Sequence, residues 1–418
     1  MQSSGQNPGS VAGRQSGQVL ILIVVALVVL MGAIALSADI GYLQYQRNIM
    51  QTAADSAAIA AAQELPYGDY VSAGQANSAK NGFTNNQNSV TVAVNNPPTT
   101  GPDKGNSGYV EAIITQPQGT YFLRVLGVTS ATVYARAVAT QGNGPNCIYI
   151  MDPSASAALS ASGNISIQSA CGVIVDSSSS SGLSANGNVT MTAPIIGVVG
   201  NYSATGNCTF SPTPSTGIIP AADPLAYVQA PSYSGCNHTN FSLSGNTGSS
   251  GSPYQVYAGV YCGGITTGGN TYLNFNPGTY IIAGGGMNFG GNTWMTGTGV
   301  TFYNTSGTGG YGAINIGGNV TATLSAPTSG SMAGILFFQD RGVSGSAAAS
   351  TITGNSSSTF NGAIYFPTTQ LSYAGNSATN GYTILVVDKL VLVGNATVGN
   401  NYSSLTNGSP IKAPTLTE

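Results

Sequence analysis

"CIYIMDPSASAALSASGNISI", residues 147–167, and "CGVIVDSSSSSGLSANGNVTM", residues 171–191, align without a gap at a spacing of 24 residues. Cysteine, aspartate, glycine and asparagine recur at matching positions of the two stretches. Identity of such residues at a fixed period is the sequence signature of stacked structural repeats, in which like side chains lie in register. The two stretches therefore predict successive coils of a parallel β-helix.

The same pattern continues toward the C-terminus. "GVYCGGITTGGNTYLNF", residues 259–275, and "GTYIIAGGGMNFGGNTWMT", residues 278–296, share a second repeat unit. Further Gly-Asn steps separate short apolar stretches and begin at Gly318, Gly354, Gly375 and Gly394. Residues 146–410 are predicted to form a right-handed parallel β-helix. An antiparallel β-sandwich or propeller is the alternative, because its hairpins also use Gly-Asn and Asn-Gly turns.

The chain has five cysteines, and all of them follow residue 146. Coils of a β-helix stack at about 4.7–4.9 Å, which lies within the ~4.4–6.8 Å between the Cα atoms of a disulfide. Cys147 and Cys171, one coil apart, are therefore a candidate disulfide. Cys236 can pair with either Cys208 or Cys262, which leaves one thiol over. Disulfides of this kind fit an oxidising compartment outside the cytoplasm.

Charge is scarce: charged residues make up 5% of the chain. Nucleic-acid binding needs clustered cations, and the nine Lys and Arg residues are scattered, so no nucleic-acid partner is expected. Beyond residue 146, only Asp340–Arg341 and Asp388–Lys389 combine opposite charges, and adjacent charges of this kind are usually solvated turns. We therefore expect no enzyme activity and no cofactor. Trp294 and surface tyrosines can stack on sugars, which makes a surface glycan a candidate ligand.

A membrane segment precedes the repeats. "VLILIVVALVVLMGAIAL", Val19–Leu36, contains 18 uncharged residues, enough to span about 30 Å of hydrocarbon as a helix. Arg14 precedes this segment and Asp39 follows it, so the positive-inside tendency predicts a cytoplasmic N-terminus and an extracytoplasmic bulk. An alanine-rich helical pattern continues to Pro66. A cleaved secretory signal is the alternative interpretation.

The segment around this helix resembles a known family. "SGQVLILIVVALVVLMGAIALSADIGYLQYQRNIMQTAADSAAIAAAQEL" is similar to the N-terminal segment of TadG-like proteins of the Flp (tight adherence) pilus system. The positions that carry the resemblance are Gly17, Gln18, Asp39, Gly41, Gln51, Ala53, Ala54, Asp55, Ala57 and Ala58. The resemblance implies a single-pass membrane anchor and a role in pilus assembly.

Two Asp-x-Ser-x-Ser stretches begin at Asp152 and Asp176. Many TadG-like proteins carry a von Willebrand type A domain whose metal site begins with this motif. No helical pattern longer than two turns follows residue 145, however, so that domain is not expected. We interpret the two aspartates as solvated residues at the same corner of successive coils and predict no metal site. A weaker hypothesis has them stacked about 5 Å apart with Ca²⁺ between them.

The sequence predicts five segments in a mainly β chain. They are a cytoplasmic tail over 1–16, an anchor helix over 17–65, a small α+β module over 66–145, the β-helix over 146–410, and a tail over 411–418. We expect a structural or accessory protein of Flp pilus assembly or surface display, with pilus-assembly or envelope proteins as partners. The expected location is the bacterial inner membrane, with the bulk in the periplasm or on the cell surface. The alternative is an adhesin that binds glycan or another cell through its β-helix.

Overall fold

The computed structural model of the chain describes residues 16–307, 309–317, 319–343, 349–353, 355, 357–376 and 381–418. The predicted cytoplasmic tail, apart from Ser16, lies outside these residues, as do Gly318 and Gly354. The chain forms two compact units. One runs to Gln141 and includes Pro414–Glu418, and the other comprises Gly142–Ala413.

The first unit combines helices with a small antiparallel sheet. Its helices are α1 (Ser16–Gln63), a 3₁₀ helix (Leu65–Tyr67), α2 (Tyr70–Lys80) and a second 3₁₀ helix (Leu123–Leu126). Its first strands are β1 (Thr91–Asn95), β2 (Tyr109–Gly119) and β3 (Ser130–Asn143), which pair in that order. The small α+β module of the predicted fold is therefore present. The stretch "TYFLRVLGV" contributes only the second 3₁₀ helix to it.

Small residues let α1 pack closely in this unit. Its buried alanines are fully covered, and they are Ala53, Ala54, Ala57, Ala58, Ala61 and Ala62. On α2, a Cβ atom added at Gly74 would lie 3.2 Å from the carbonyl oxygen of Ala57 and 2.9 Å from the Val94 side chain. The alanine-rich second half of α1 is thus the inner face of a packed unit, whereas its first half has no such core.

The second unit is built from short strands. The first ten are β4 (Asn146–Ile150), β5 (Leu159–Ser169), β6 (Gly172–Val175), β7 (Leu183–Thr192), β8 (Ile196–Val198), β9 (Tyr202–Ser211), β10 (Ser215–Thr216), β11 (His238–Leu243), β12 (Asn246–Thr247) and β13 (Tyr254–Val256). The next twelve are β14 (Gly259–Thr267), β15 (Asn270–Phe275), β16 (Gly278–Ala283), β17 (Met287–Phe289), β18 (Asn292–Thr298), β19 (Val300–Thr305), β20 (Ile314–Ile316), β21 (Thr321–Ser325), β22 (Ile335–Gln339), β23 (Ser350–Ile352), β24 (Thr359–Asn376) and β25 (Thr383–Val398). The last strand of the chain, β26 (Lys412–Leu416), follows β3 in the order of the small sheet.

These strands form a parallel β-helix. Within the described residues, the ladders between β4 and β25 run parallel throughout. Each coil has three strand segments separated by corners; for example, β15, β16 and β17 pair with β18, β19 and β20 of the next coil. The predicted parallel β-helix is confirmed, and the antiparallel sandwich or propeller is wrong. The right-handed sense of the coil stays a prediction.

An apolar core runs through the coils. Inward-pointing side chains from β4 to β25 form one continuous cluster. Along part of it, the ring centroids of Phe275, Tyr280, Phe302 and Phe337 lie 5.1–5.3 Å apart. Like residues therefore stack on like residues, as the repeat predicts.

Glycine holds one corner of the coil. Gly163, Gly187 and Gly206 lie in register on β5, β7 and β9, with φ angles of 101°, 105° and 95°. A Cβ atom at Gly187 would lie only 2.8 Å from the carbonyl oxygen of Gly163. Both the left-handed backbone and the close approach of the preceding coil require glycine here.

Asparagine follows each of these glycines and forms ladders on the outside of the coils. In the ladder Asn164–Asn188–Asn207, each Nδ2 donates to the Oδ1 of the preceding coil, at 2.8 and 3.1 Å. The ladder Asn246–Asn270–Asn292 repeats this arrangement at 3.1 Å for both bonds. The Gly-Asn steps singled out in the sequence are therefore one stacked corner.

The coils do not stack in the order of the chain. The strand β25 pairs with β4 and β5, so the last coil of the unit stacks on its first coil. From β4 the stack proceeds to β8 and β10 at one end, whereas β11 starts the opposite end and the later coils return to β25. Residues 217–237, here called the strap, connect the two ends. Sequence reasoning did not foresee this arrangement.

The strap follows the side of the stack. It contacts the coils of β6, β24 and β14 in turn: the Ala221 N–H donates to Asp176 at 2.9 Å, the Tyr365 hydroxyl donates to Asp223 at 2.5 Å, and Cys236 is bonded to Cys262. Leu225 and Val228 of the strap are buried. The strap is thus a packed part of the β-helix.

Candidate functional site

The anchor helix is the first component of the candidate site. Among the described residues, Leu20–Gln63 is long and apolar enough to cross a membrane. The large apolar side chains from Leu20 to Leu36 are 43–70% exposed. Such a length of exposed apolar helix is stable in a bilayer, where helical backbone groups are already hydrogen-bonded.

Asp39 clamps the end of the membrane segment to the folded module. Its carboxylate is 1% exposed and accepts hydrogen bonds from the backbone N–H groups of Tyr121, Phe122 and Leu123, at 3.0, 2.9 and 2.6 Å. Burial by itself raises the pKa of the Asp39 carboxyl, but the three backbone donors outweigh it, so the pKa is lowered. This family-motif position therefore fixes the loop between β2 and β3 to α1.

The clamped segment, residues 121–128, is here called the apolar loop. Val125 and Leu126 are 87% and 77% exposed, and Tyr121 and Phe122 are exposed as well. The loop and α1 line a shared groove whose helix side is formed by Met31, Gly32, Ala35 and Leu36. Exposed apolar side chains therefore lie next to the membrane segment itself.

Gln51 and Asp55 fasten the second half of α1. The Nε2 of Gln51 donates to Asp55 Oδ1 and to the carbonyl oxygen of Arg136, both at 2.8 Å. Gly41 has nothing within 4 Å of a Cβ position, so packing in the described chain does not account for it. The remaining motif positions, Gly17 and Gln18, lie in the first turn of α1.

A buried ion pair stabilises the module, and sequence reasoning missed it. Glu111 on β2 is fully buried and accepts a hydrogen bond from Arg136 Nε at 2.6 Å. It also accepts from the hydroxyls of Thr99 and Thr100, each at 2.6 Å. Burial raises the pKa of Glu111, but these donors outweigh it and lower the pKa to about 2. Arg136 also pairs with Glu418, which ties the end of the chain to the sheet.

Asp152 and Asp176 do not stack as predicted. On this face Ile150 pairs with Val175, a register of 25 residues instead of 24, so Asp176 lies opposite Met151. The Asp152 backbone N–H instead donates to the carbonyl oxygen of Asp388, at 3.0 Å. The one-residue shift arises from an irregularity between Asn146 and Ile148.

The two carboxylates also have different surroundings. Asp152 accepts from the N–H groups of Ser154 and Ala155 and pairs with Lys389 Nζ at 3.3 Å. Asp176 is only 5% exposed, contrary to the predicted solvated corner, and burial raises its pKa. Within the described ranges, no group of three or more His, Cys, Asp or Glu residues could hold a metal ion. The structure thus separates the two residues that the Ca²⁺ hypothesis brings together.

The cysteines of the β-helix lie between neighbouring coils. Cys147 and Cys171 form a disulfide with Cα atoms 5.6 Å apart, and Cys236 and Cys262 form another at 5.7 Å. Of the two partners that the sequence leaves open for Cys236, the structure has Cys262. Cys208 on β9 is a free thiol.

Arg341 is not part of a solvated turn, which corrects the sequence interpretation. Its guanidinium donates to the carbonyl oxygens of Leu225 and Val228 on the strap, at 2.7 and 2.9 Å, and to the hydroxyl of Tyr365 at 2.5 Å. It also lies about 5 Å above the ring of Phe338, with 5.0 Å to the centroid. Arg341 therefore positions the strap, and its neighbours give it no reacting group.

Comparison with known proteins identifies the anchor. Residues 17–64 match the family model Tad, described as "Putative Flp pilus-assembly TadE/G-like". Neither the curated proteins nor the solved structures gave a match. The matched segment covers α1, including Asp39, Gln51 and Asp55, and confirms the resemblance seen in the sequence. Residues 17–64 are a Tad segment, which associates this protein with Flp pilus assembly and with a membrane anchor.

Proposed function

We propose that the chain is an extracytoplasmic structural or accessory protein of Flp pilus assembly or display. The observation that carries the proposal is the Tad match on a helix whose first half is exposed and apolar and whose second half is packed into a folded module. A helix of this kind transmits a fixed attachment from the bilayer to the module. The β-helix then supplies a stable surface outside the membrane.

The chemistry of the second unit supports an extracytoplasmic location. Two disulfides join neighbouring coils, and disulfides persist in oxidising compartments. Arg14, on the other side of the membrane segment, fits a cytoplasmic N-terminus. Labelling tests this orientation: Ile219, 88% exposed on the strap, is replaced by cysteine in a Cys208→Ser background. A membrane-impermeant maleimide should label intact spheroplasts, and labelling only after lysis would reverse the orientation.

Deletion of the gene tests the pilus role. We expect loss of Flp pili, and recovery when the full chain is supplied. Complementation with a chain that ends at residue 145 measures what the β-helix adds. Normal piliation in the deletion strain would contradict the proposal.

A non-catalytic role completes the proposal. The charged groups of the β-helix that the structure describes are engaged in structural contacts, such as Arg341 with the strap and Lys389 with Asp152. General acid–base catalysis requires titratable groups directed at a substrate. We therefore assign the β-helix a structural or binding role.

Binding of a glycan is the second candidate function. Trp294 is 37% exposed, and its ring stacks on that of Tyr272 with centroids 4.5 Å apart and planes 5° apart. Paired rings of this kind present a flat apolar face on which a sugar can stack. Because Trp294 is the single tryptophan, its fluorescence reports on this surface directly. Saturable quenching by a surface oligosaccharide would support the adhesin, and an unchanged spectrum across a glycan panel would contradict it.

A further inference from the structure

The β-helix has two open ends. At one end β9 pairs with β7 alone, and at the other β11 pairs with β14 alone, among the strands the structure describes. The outer backbone edge of each strand therefore has no ladder partner in its own unit. Edge strands of this length are usually protected by charges, proline or a covering helix, yet "YSATGNCTFS" and "HTNFSL" contain no Asp, Glu, Lys, Arg or Pro.

Apolar side chains are also incompletely covered at both ends. Tyr202 and Phe210 at the β9 end, and Phe241 and Leu243 at the β11 end, pack on the core but remain partly exposed. Solenoid proteins require end repeats with a polar outer face to stay separate in solution. Neither end of this solenoid has one.

The asparagine ladders give the two ends opposite hydrogen-bonding character. Along the stack, every ladder asparagine donates its Nδ2 to the Oδ1 of the preceding coil. At the β11 end, Asn246 Oδ1 accepts from Asn270, and its Nδ2 has no partner in the described chain. At the β9 end, Asn207 Nδ2 donates to Asn188, and its Oδ1 is the group left over. One end thus presents a donor and the other an acceptor at the same corner.

We propose that copies of this chain stack head to tail through these ends. The β11 end of one copy continues the β9 end of the next, and Asn246 Nδ2 of one copy donates to Asn207 Oδ1 of the other. In this register Gly206 lies opposite Gly245, as Gly187 lies opposite Gly206 within one chain. The ladder hydrogen bonds then run across the junction without a break.

The glycine column supports this register. A Cβ atom at Gly206, Gly269 or Gly291 would lie 2.4–2.7 Å from the carbonyl oxygen of the glycine in the preceding coil. Gly245 starts the column at the β11 end, and a Cβ there meets nothing within 4 Å in its own chain. In the stacked register it faces Gly206 of the other copy, so the absence of a side chain at position 245 suits the same close approach.

Cysteine cross-linking of the full chain in detergent tests the register. When Asn207 lies opposite Asn246, Cys208 lies opposite Thr247 of the other copy. Neighbouring coils already hold disulfides at Cα separations of 5.6 and 5.7 Å. Thr247→Cys should therefore give dimers and longer reducible species on mild oxidation. Removal of Cys208 by Cys208→Ser should abolish them, and Ser242→Cys, on another part of the same end, should not produce them.

A charge substitution tests the hydrogen-bonding complementarity. Asn246→Asp keeps the oxygen that accepts from Asn270 and replaces only the outward donor with a negative acceptor. It should weaken association at least about tenfold in sedimentation velocity. Asn164→Asp is the matched control, because Asn164 starts the other ladder but lies inside the stack. That variant should associate like the unsubstituted chain.

Three results would overturn the proposal. The first is a wild-type chain that sediments as one species across its accessible concentration range and a Thr247→Cys chain that does not cross-link. The second is equal cross-linking by Ser242→Cys, which would exclude the register. The third is equal association of the Asn246→Asp and Asn164→Asp variants. Association through the membrane helix alone would produce this third result, so the two modes are distinguishable.

Discussion

Replacement of Arg341 by methionine should release the strap without unfolding the coils. The side chain donates to two strap carbonyl oxygens, those of Leu225 and Val228, and to the Tyr365 hydroxyl that holds Asp223. Methionine retains an apolar stem against Phe338 but none of the donors. The strap would then keep its disulfide at Cys236 and lose its central attachment.

The contacts set the size of the effect. A hydrogen bond to a charged group contributes about 1.5–3 kcal/mol, and the buried carbonyl groups would lose their partner. The Arg341 side chain is 34% exposed, so water compensates part of the loss and the lower values apply. Three such bonds then give about 3 kcal/mol for local opening of the strap, which corresponds to roughly a hundredfold faster exchange of its amides.

Hydrogen exchange with mass spectrometry on the full chain in detergent measures this change. Peptides from residues 217–237 should lose protection, while peptides from β16 and β19 should not change. Lys389→Met is the matched control, because it removes a cation whose ion pair with Asp152 lies away from the strap. Equal exchange of the strap in the wild-type and Arg341→Met chains would refute the assigned role of Arg341.

Three further substitutions have defined outcomes. Gly187→Ala should destabilise the β-helix by about 2 kcal/mol more than Gly163→Ala in urea unfolding, because both have positive φ but only Gly187 faces a carbonyl oxygen. Glu111, with a folded pKa of about 2 against 4.5, contributes about 3 kcal/mol that is fully present above pH 4.5 and lost as the pH falls toward 2; Glu111→Gln should remove this acid sensitivity, and an unchanged pH profile would contradict it. Asp39→Asn should speed amide exchange in Tyr121–Leu123, and equal rates would show that the clamp is unimportant.

The sequence predicted those features that depend on local repetition. Register on β5 and β7 follows from the 24-residue period, and the Gly-Asn corner follows from the backbone that glycine permits. The stacking of Asp152 on Asp176 failed because one irregular residue near Asn146 shifts that face by a single position. A period found in the sequence therefore predicts each face of a coil separately.

Features that depend on distant pairing were not accessible in this way. Asp39 finds its donors 82 to 84 residues later, and Arg341 finds the strap more than a hundred residues earlier, at separations of 113 and 116. Neither residue has a neighbour in sequence that indicates its partner. Asp340–Arg341 therefore suggested a solvated turn, although the arginine is bonded to a segment from the opposite end of the stack.

The stacking of β25 on β4 has a consequence for biosynthesis. The coils from β4 to β9 leave the ribosome first, but the upper edge of β4 gains its ladder partner only when β25 has been made. Coil-by-coil growth from the N-terminal side cannot complete this protein, because its second half must form outward from the far end and close onto a waiting edge. Until closure, the nascent chain carries an unpaired strand that invites mispairing. Secretion of such a chain calls for a holding factor on the outer side of the membrane, or for translation fast enough to shorten the wait.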